Sequence, residues 1–175
     1  MTMLNLSFTP FPTIKTDRLI LRSLEKTDAY DILALRSDDR INKHVDRKKM
    51  LSIEEAEFFI YKIRSGIEKN ELIYWVITDK QTNKMLGTIG VWNVEPEEVA
   101  AELGYELLFK EHGKGYMIEA VKGVIKYGFE TMKLETIKAV VRDTNLASLN
   151  ILNKMKFALD RREGEDGFYT LRSAQ

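Results

Sequence analysis

His112-Gly113-Lys114-Gly115-Tyr116-Met117 is the segment of this chain best suited to hold a charged ligand. Glycines let a backbone approach a pyrophosphate closely, and a helix start presents unpaired N–H groups at the positive end of its dipole. An ordinary glycine turn before a helix fits these residues as well; the phosphate reading requires a strand before the turn and a helix after it. The segment is not a Walker loop, since Gly-x-x-x-x-Gly-Lys-Ser/Thr is absent. Nor is it a dinucleotide fingerprint, because Ile118 stands where the third glycine would be. What remains is a phosphate ligand outside the usual nucleotide classes.

Two other segments carry groups able to do chemistry. In Ala101-Glu102-Leu103-Gly104-Tyr105-Glu106, strand alternation sets Glu102, Gly104 and Glu106 on one face, where a carboxylate is either a solvated surface group or a general base. In Asn145-Leu146-Ala147-Ser148, asparagine and serine are favoured cap and first-turn residues, and helix capping alone would account for them. The chain has no cysteine, which removes disulfides, thiolate metal sites and cysteine nucleophiles. His44 and His112 are its two histidines, too few for a histidine metal site, so no metal is expected.

These segments must be positioned by elements that the apolar pattern marks out. Arg18 to Arg22 is a short strand, and Thr27 or Asp28 can cap a helix carrying Ile32, Leu33 and Leu35. Ser52 with Glu55 is a capping-box pattern opening a helix with Ile53, Ala56, Phe59, Ile60 and Ile63 at helical spacing, ending near Gly66. Leu72 to Thr78 and Met85 to Trp92 are strands about the turn Thr82-Asn83-Lys84, and a further strand follows from about Ala100 to Leu108, a pattern suggesting an antiparallel meander. After Gly115 comes a long helix with Met117, Val121, Val124, Ile125, Phe129 and Met132 inward. Thr136 to Arg142 is a strand and Asn145 to Lys154 a shorter helix. Phe157 to Arg161 and Phe168 to Leu171 are final strands flanking an acidic loop, Glu163 to Gly167. Residues 1–15 read as an N-terminal arm, its first part polar with Pro10 and Pro12.

Length and charge set the outer bounds. At 175 residues and 44% hydrophobic content the chain suits one mixed α/β domain over 1–175, with no linker or repeat. Lys plus Arg and Asp plus Glu both count 27, so the formal net charge is zero and a nucleic-acid coat is not expected. No stretch approaches the ~20 apolar residues of a membrane span, and the N-terminus lacks the basic start and apolar core of a secretory signal. The cytoplasm is the simplest address, and a monomer or homodimer the expected state.

In their order along the chain these pieces resemble the GNAT-superfamily N-acetyltransferases, in particular the branch that includes the ribosomal-protein N-terminal (Rim-type) acetyltransferases. The resemblance runs from Thr16-Asp17-Arg18-Leu19-Ile20-Leu21-Arg22 to Phe168-Tyr169-Thr170-Leu171. Its most specific parts are Leu86 to Gly90, Ala101 to Tyr105 and Gly113 to Ala120, with Tyr127-Gly128-Phe129 and Asn145 to Ser148 completing the set. The resemblance implies a central, mostly antiparallel sheet of about seven strands, splayed between the fourth and fifth and flanked by four helices. It also implies acetyl-coenzyme A as donor and an amine as acceptor. The pantetheine arm would lie against backbone groups of Leu107, Leu108 and Phe109, and the pyrophosphate on the turn formed by His112, Gly113, Lys114, Gly115, Tyr116 and Met117. Asn145 matches the family asparagine that contacts the coenzyme arm, and Ser148 a serine that can protonate the leaving thiolate. The acceptor pocket would be built by Asp38 to Met50 and Arg161 to Gly167.

Several positions depart from the family pattern. His112 replaces the usual Arg or Gln, and Met117 the usual Gly or Ala. The frequent tyrosine acid falls on Leu152, which has no proton to give. Lys156 replaces a glycine, implying an ordinary α or β backbone there. Without a cysteine, direct attack by the amine is the natural course, with Glu102 as base, through a water or directly, and Glu106 in reserve. An α-amine at ~7.8 is already partly neutral at physiological pH, whereas a lysine at ~10.4 costs ~4 kcal/mol to deprotonate. That favours a protein or peptide α-amine as acceptor, with a polyamine, an aminoglycoside or simple acyl-CoA binding as alternatives.

Overall fold

The computed structural model describes residues 3–174. Among them, eight strands form one sheet: β1 (Ile14–Lys15), β2 (Leu19–Ser23), β3 (Ile73–Asp79), β4 (Met85–Glu95), β5 (Ala100–Leu107), β6 (Thr136–Arg142), β7 (Ala158–Glu163) and β8 (Asp166–Arg172). Their spatial order is β1-β2-β3-β4-β5-β6-β8-β7. This is one strand more than the seven expected. The addition is β1, whose two residues pair with Leu21 and Ile20 and are too few to show any periodicity in sequence.

Every neighbouring pair is antiparallel except β5 and β6. Those two run parallel and share only three residue pairs, Ala100 with Thr136, Ala101 with Ile137 and Glu102 with Lys138. Beyond Glu102 they part, which is the expected splay. The crossover between them is α4 (Tyr116–Glu130), as a parallel connection requires.

The sheet is covered on both faces. One face carries α4, whose Met117, Ala120, Val121 and Val124 are buried against Leu103, Leu107, Ile137 and Ala139. The other carries α1 (Ala29–Ser37) and α3 (Ile53–Glu68), joined by the one-turn helix α2 (Asp39–Asn42). Here Ile32, Leu35, Ala56 and Ile60 pack on Tyr74 and Val76. This explains the unbroken apolar run of β3: Ile73, Trp75 and Ile77 serve one core while Tyr74 and Val76 serve the other. Each such side chain contributes about 1.5–3 kcal/mol by leaving water.

Local differences from the sequence reading have physical causes. The arm does not stand free: Phe8 is buried, Leu4, Leu6 and Phe11 pack against the core, and the Trp75 indole donates to the Pro12 carbonyl at 2.7 Å. Asp28 makes no side-chain cap to α1; its carboxylate instead accepts two hydrogen bonds from Arg22 at 2.9 and 2.8 Å.

Lys156 is a correction. Its φ is +62°, the left-handed conformation, and not the ordinary backbone that loss of a glycine implied. It lies just beyond α5 (Leu146–Lys154), where the Phe157 N–H turns back to the Leu152 carbonyl at 2.9 Å. A side chain there costs roughly 1–2 kcal/mol, less the entropy that glycine loses on folding. Lys156→Gly is therefore expected to stabilise the fold by about 0.5–1 kcal/mol, raising the melting temperature by roughly 2 °C. An unchanged or lower melting temperature would contradict this.

Candidate active site

The splay creates the site. Opposite β4, the Leu108 N–H donates to the Leu86 carbonyl at 2.8 Å. Ladder alternation then turns the backbone groups of Tyr105 and Leu107 to the other edge, into the gap left by β6. The Leu107 carbonyl is occupied by the His112 Nε2–H at 3.0 Å, so its N–H is the group still open. Leu107 borders the resulting cavity of about 440 Å³, whereas Leu108 and Phe109 do not. Leu108 packs against the α1–α3 core, and Phe109 lies in a 3-10 turn under the Arg40 guanidinium, 4.1 Å from its ring centroid.

The glycine turn closes one end of this cavity. A strand precedes it and α4 follows, which is the context the phosphate reading required. Gly113 and Gly115 have φ of +76° and +78°, a conformation that L side chains rarely hold. Gly115 caps α4 without any side-chain hydrogen bond, and Glu119 is the first residue of α4 whose N–H returns to the Gly115 carbonyl, at 3.3 Å. The amides of Tyr116, Met117 and Ile118 therefore face the cavity end of the helix without an intrahelical partner. Lys114 turns away, its ammonium on Glu111 at 2.8 Å and its carbonyl accepting from Arg18 at 2.9 Å.

Arg18 and Glu119 brace this turn, a pairing the sequence reading missed. Glu119 accepts from the Thr16 hydroxyl at 2.5 Å, the Arg18 N–H at 2.7 Å and the Arg18 guanidinium at 2.7 Å. Burial pushes its carboxyl up, but these three donors together hold it below the usual value. Both residues were visible in the matched segments; their sequence separation of 101 hid the contact.

A second cavity of about 370 Å³ opens on the α1–α3 face and holds Glu102 and Gly104. Glu102 sits where β5 and β6 part and accepts from the Asn93 amide at 2.9 Å. Gly104 makes room for Trp92: a Cβ there would lie 2.0 Å from the indole. Glu106 differs from its neighbour. Arg36 and Arg47 both reach it, and the Glu106 and Arg47 side chains are only 13% and 18% exposed. Burial pulls the Arg47 guanidinium below its usual value, against the opposing pull of Glu106. Glu106 thus anchors the segment after α2 to the sheet.

The two cavities meet at His44, Val45, Tyr105, Glu106, Asn145 and Ser148, which border both. Asn145 does cap α5, its Oδ1 accepting the Ser148 N–H at 3.2 Å, which leaves its NH2 group unused by the cap. Ser148 stands beside it on the first turn. Leu152, by contrast, is 1% exposed and part of the core. His44 and Tyr105 were not singled out in sequence. Burial first, then Lys43 and Arg142, hold the His44 imidazole below its ordinary value, and the Thr144 hydroxyl is 3.4 Å from its Nδ1. The 38–50 segment borders both cavities, but residues 161–167 border neither. Glu165 and Asp166 lie 3.9 and 3.7 Å from Arg142 instead.

Comparison with known proteins gives a consistent result. Residues 18–158 match the family model of the acetyltransferase (GNAT) domain. The uncharacterized N-acetyltransferase YoaA of Bacillus subtilis (strain 168) is 35% identical over 147 residues, covering 84% of this chain and 83% of that protein. Among solved structures, the ribosomal α-N-protein acetyltransferase RimL in complex with coenzyme A superposes with a TM-score of 0.83 at 19% identity, covering 92% of this chain and 98% of the other. A nucleotide-linked sugar GNAT, FdhC, superposes with a TM-score of 0.81 at 21% identity, covering 92% and 90%. One fold thus carries a protein-modifying and a sugar-linked example.

Proposed function

Because the chain belongs to the GNAT acetyltransferase family, whose members are acyltransferases drawing on acetyl-coenzyme A, we propose that this N-acetyltransferase moves the acetyl group directly to a primary amine, with a protein or peptide α-amine as the favoured acceptor. The observation that carries this reading is the meeting of two cavities at Asn145 and Ser148, with unpaired amides at the far end of one and Glu102 in the other. A donor and an acceptor entering from opposite faces would react at the junction without a covalent enzyme intermediate.

The residues fit these roles on chemical grounds. The Gly113 to Met117 turn offers N–H groups and a helix dipole to a pyrophosphate. The Leu107 N–H, free of β4 and turned into the gap, is placed to polarise a thioester carbonyl. Glu102 accepts the proton from the attacking amine, and Ser148 supplies one to the departing thiolate. The acceptor preference rests on the pKa of α-amines near ~7.8 and on the likeness to the Rim-type branch. No cysteine nucleophile is needed for this course, and the chain has none.

The test is release of free coenzyme A from acetyl-coenzyme A in the presence of peptides with free α-amines, the same peptides with acetylated α-amines, spermidine and an aminoglycoside. Free α-amines are expected to give the highest kcat/KM, and blocking them to abolish it. A tenfold higher value for spermidine or the aminoglycoside would overturn the acceptor, and no release with any amine would overturn catalysis. In the same assay Glu102→Gln should lose most rate at low pH, where the amine is protonated, with coenzyme affinity intact. An unchanged pH profile would reduce Glu102 to a surface carboxylate.

A further inference from the structure

The structure assigns to Tyr105 a role as the partner of Ser148 in the reaction: its buried phenolic O–H, unpartnered at rest, donates to the serine oxygen as that hydroxyl gives its proton to the leaving thiolate. This inference rests on the Ser148 reading above and adds a second residue to it.

Three observations converge. First, the Tyr105 hydroxyl is buried and, among the described residues, is the one buried hydroxyl without a hydrogen-bond partner. Such a group is expensive to keep, so a site that retains it has a use for it. Second, Tyr105 borders both cavities at their junction, as Ser148 does. Third, α5 brings no other hydroxyl to the junction, since Leu152, one turn beyond Ser148, is sealed in the core, so the hydroxyl chemistry there falls to this pair.

The protonation states suit the pairing. Burial pushes the phenol up to about 12, so Tyr105 stays protonated and remains a donor throughout the working range. Other buried hydroxyls are committed elsewhere, such as Thr78, which donates to the Ile20 carbonyl at 2.8 Å. A serine hydroxyl alone is a weak acid. A fixed donor on its oxygen stabilises negative charge as the proton leaves.

The step balances as follows. The amine nitrogen bonds to the carbonyl carbon while the carbon–sulfur bond breaks, its electron pair going to sulfur. One proton passes from nitrogen to Glu102, and one from Ser148 Oγ to sulfur. Tyr105 keeps its own proton, donating a hydrogen bond to Oγ. Serine regains a proton from water and Glu102 returns one to water.

Tyr105→Phe, Ser148→Ala and the double variant test this, with kcat and KM for acetyl-coenzyme A and the melting temperature measured on each. Tyr105→Phe should lower kcat roughly tenfold with KM within twofold, because the hydroxyl supports the transition state and not coenzyme binding. Removing a buried unpaired hydroxyl should also raise the melting temperature by about 2–4 °C. The double variant should be no slower than Ser148→Ala alone, since the tyrosine acts only through the serine. Wild-type kcat in Tyr105→Phe with a slow Ser148→Ala would overturn the pairing and leave the serine in place. Additive losses would also overturn it, as would a fall in melting temperature. Wild-type kcat in Ser148→Ala would overturn the serine reading and the pairing together.

Discussion

Gly115→Glu is expected to give a folded chain that binds coenzyme A about a hundredfold more weakly. The substitution places a carboxylate at the start of α4, beside the amides that are free to meet a pyrophosphate. Juxtaposed like charges cost several kcal/mol, and about 1.4 kcal/mol is a factor of ten in affinity. The left-handed φ of +78° adds strain of roughly 1–2 kcal/mol, enough to distort the turn but not to unfold a chain of this size. The new Cβ would come to 3.3 Å from Arg18 Nη2, the far end of a flexible side chain that can yield. Calorimetry with coenzyme A measures the affinity, and circular dichroism the fold. Equal affinity in a folded variant would remove the turn from the coenzyme site.

The second large effect is on stability. Glu106→Ala is expected to cost about 3–5 kcal/mol, because it leaves the largely buried Arg47 guanidinium without its counter-charge and Arg36 without its partner. The melting temperature should fall by roughly 10 °C. A general base behaves in the opposite way, losing turnover at unchanged stability. A drop under about 3 °C with activity abolished would therefore restore Glu106 to the reaction.

How far the sequence could be read depended on the distance over which each feature acts. Strands and helices were legible because their apolar positions repeat locally, and the glycine turn because its conformational demand is local as well. β1 was missed because two residues carry no period. Lys156 was misjudged because lysine at a left-handed position leaves no trace in composition; the demand comes from the chain reversing between α5 and Phe157. At the candidate site, Glu102, Asn145 and Ser148 could be named only through the family resemblance, since strand alternation and helix capping alone explain them as ordinary residues. Their neighbours could not. Arg47 meets Glu106 across 59 positions, and Tyr105 carries no mark in sequence that sets it at the junction, where the structure places it.

The three residue pairs between β5 and β6 have a bearing on how the protein holds together. The antiparallel ladder β2 to β5 and the group β6, β8 and β7 are each laced by long runs of backbone hydrogen bonds. Across the seam between them that lacing is brief. A ligand lying in the gap and touching both banks therefore acts as a structural member, contributing RT ln(1 + [L]/Kd) to the folded state, about 2.7 kcal/mol at a hundredfold excess over Kd. Amide exchange at the seam, slow on either bank and faster at its parting, would register the donor's arrival as a loss of local opening. With the acetyl donor in that gap, the bond that the enzyme breaks would belong to the same molecule that holds its two half-sheets shut.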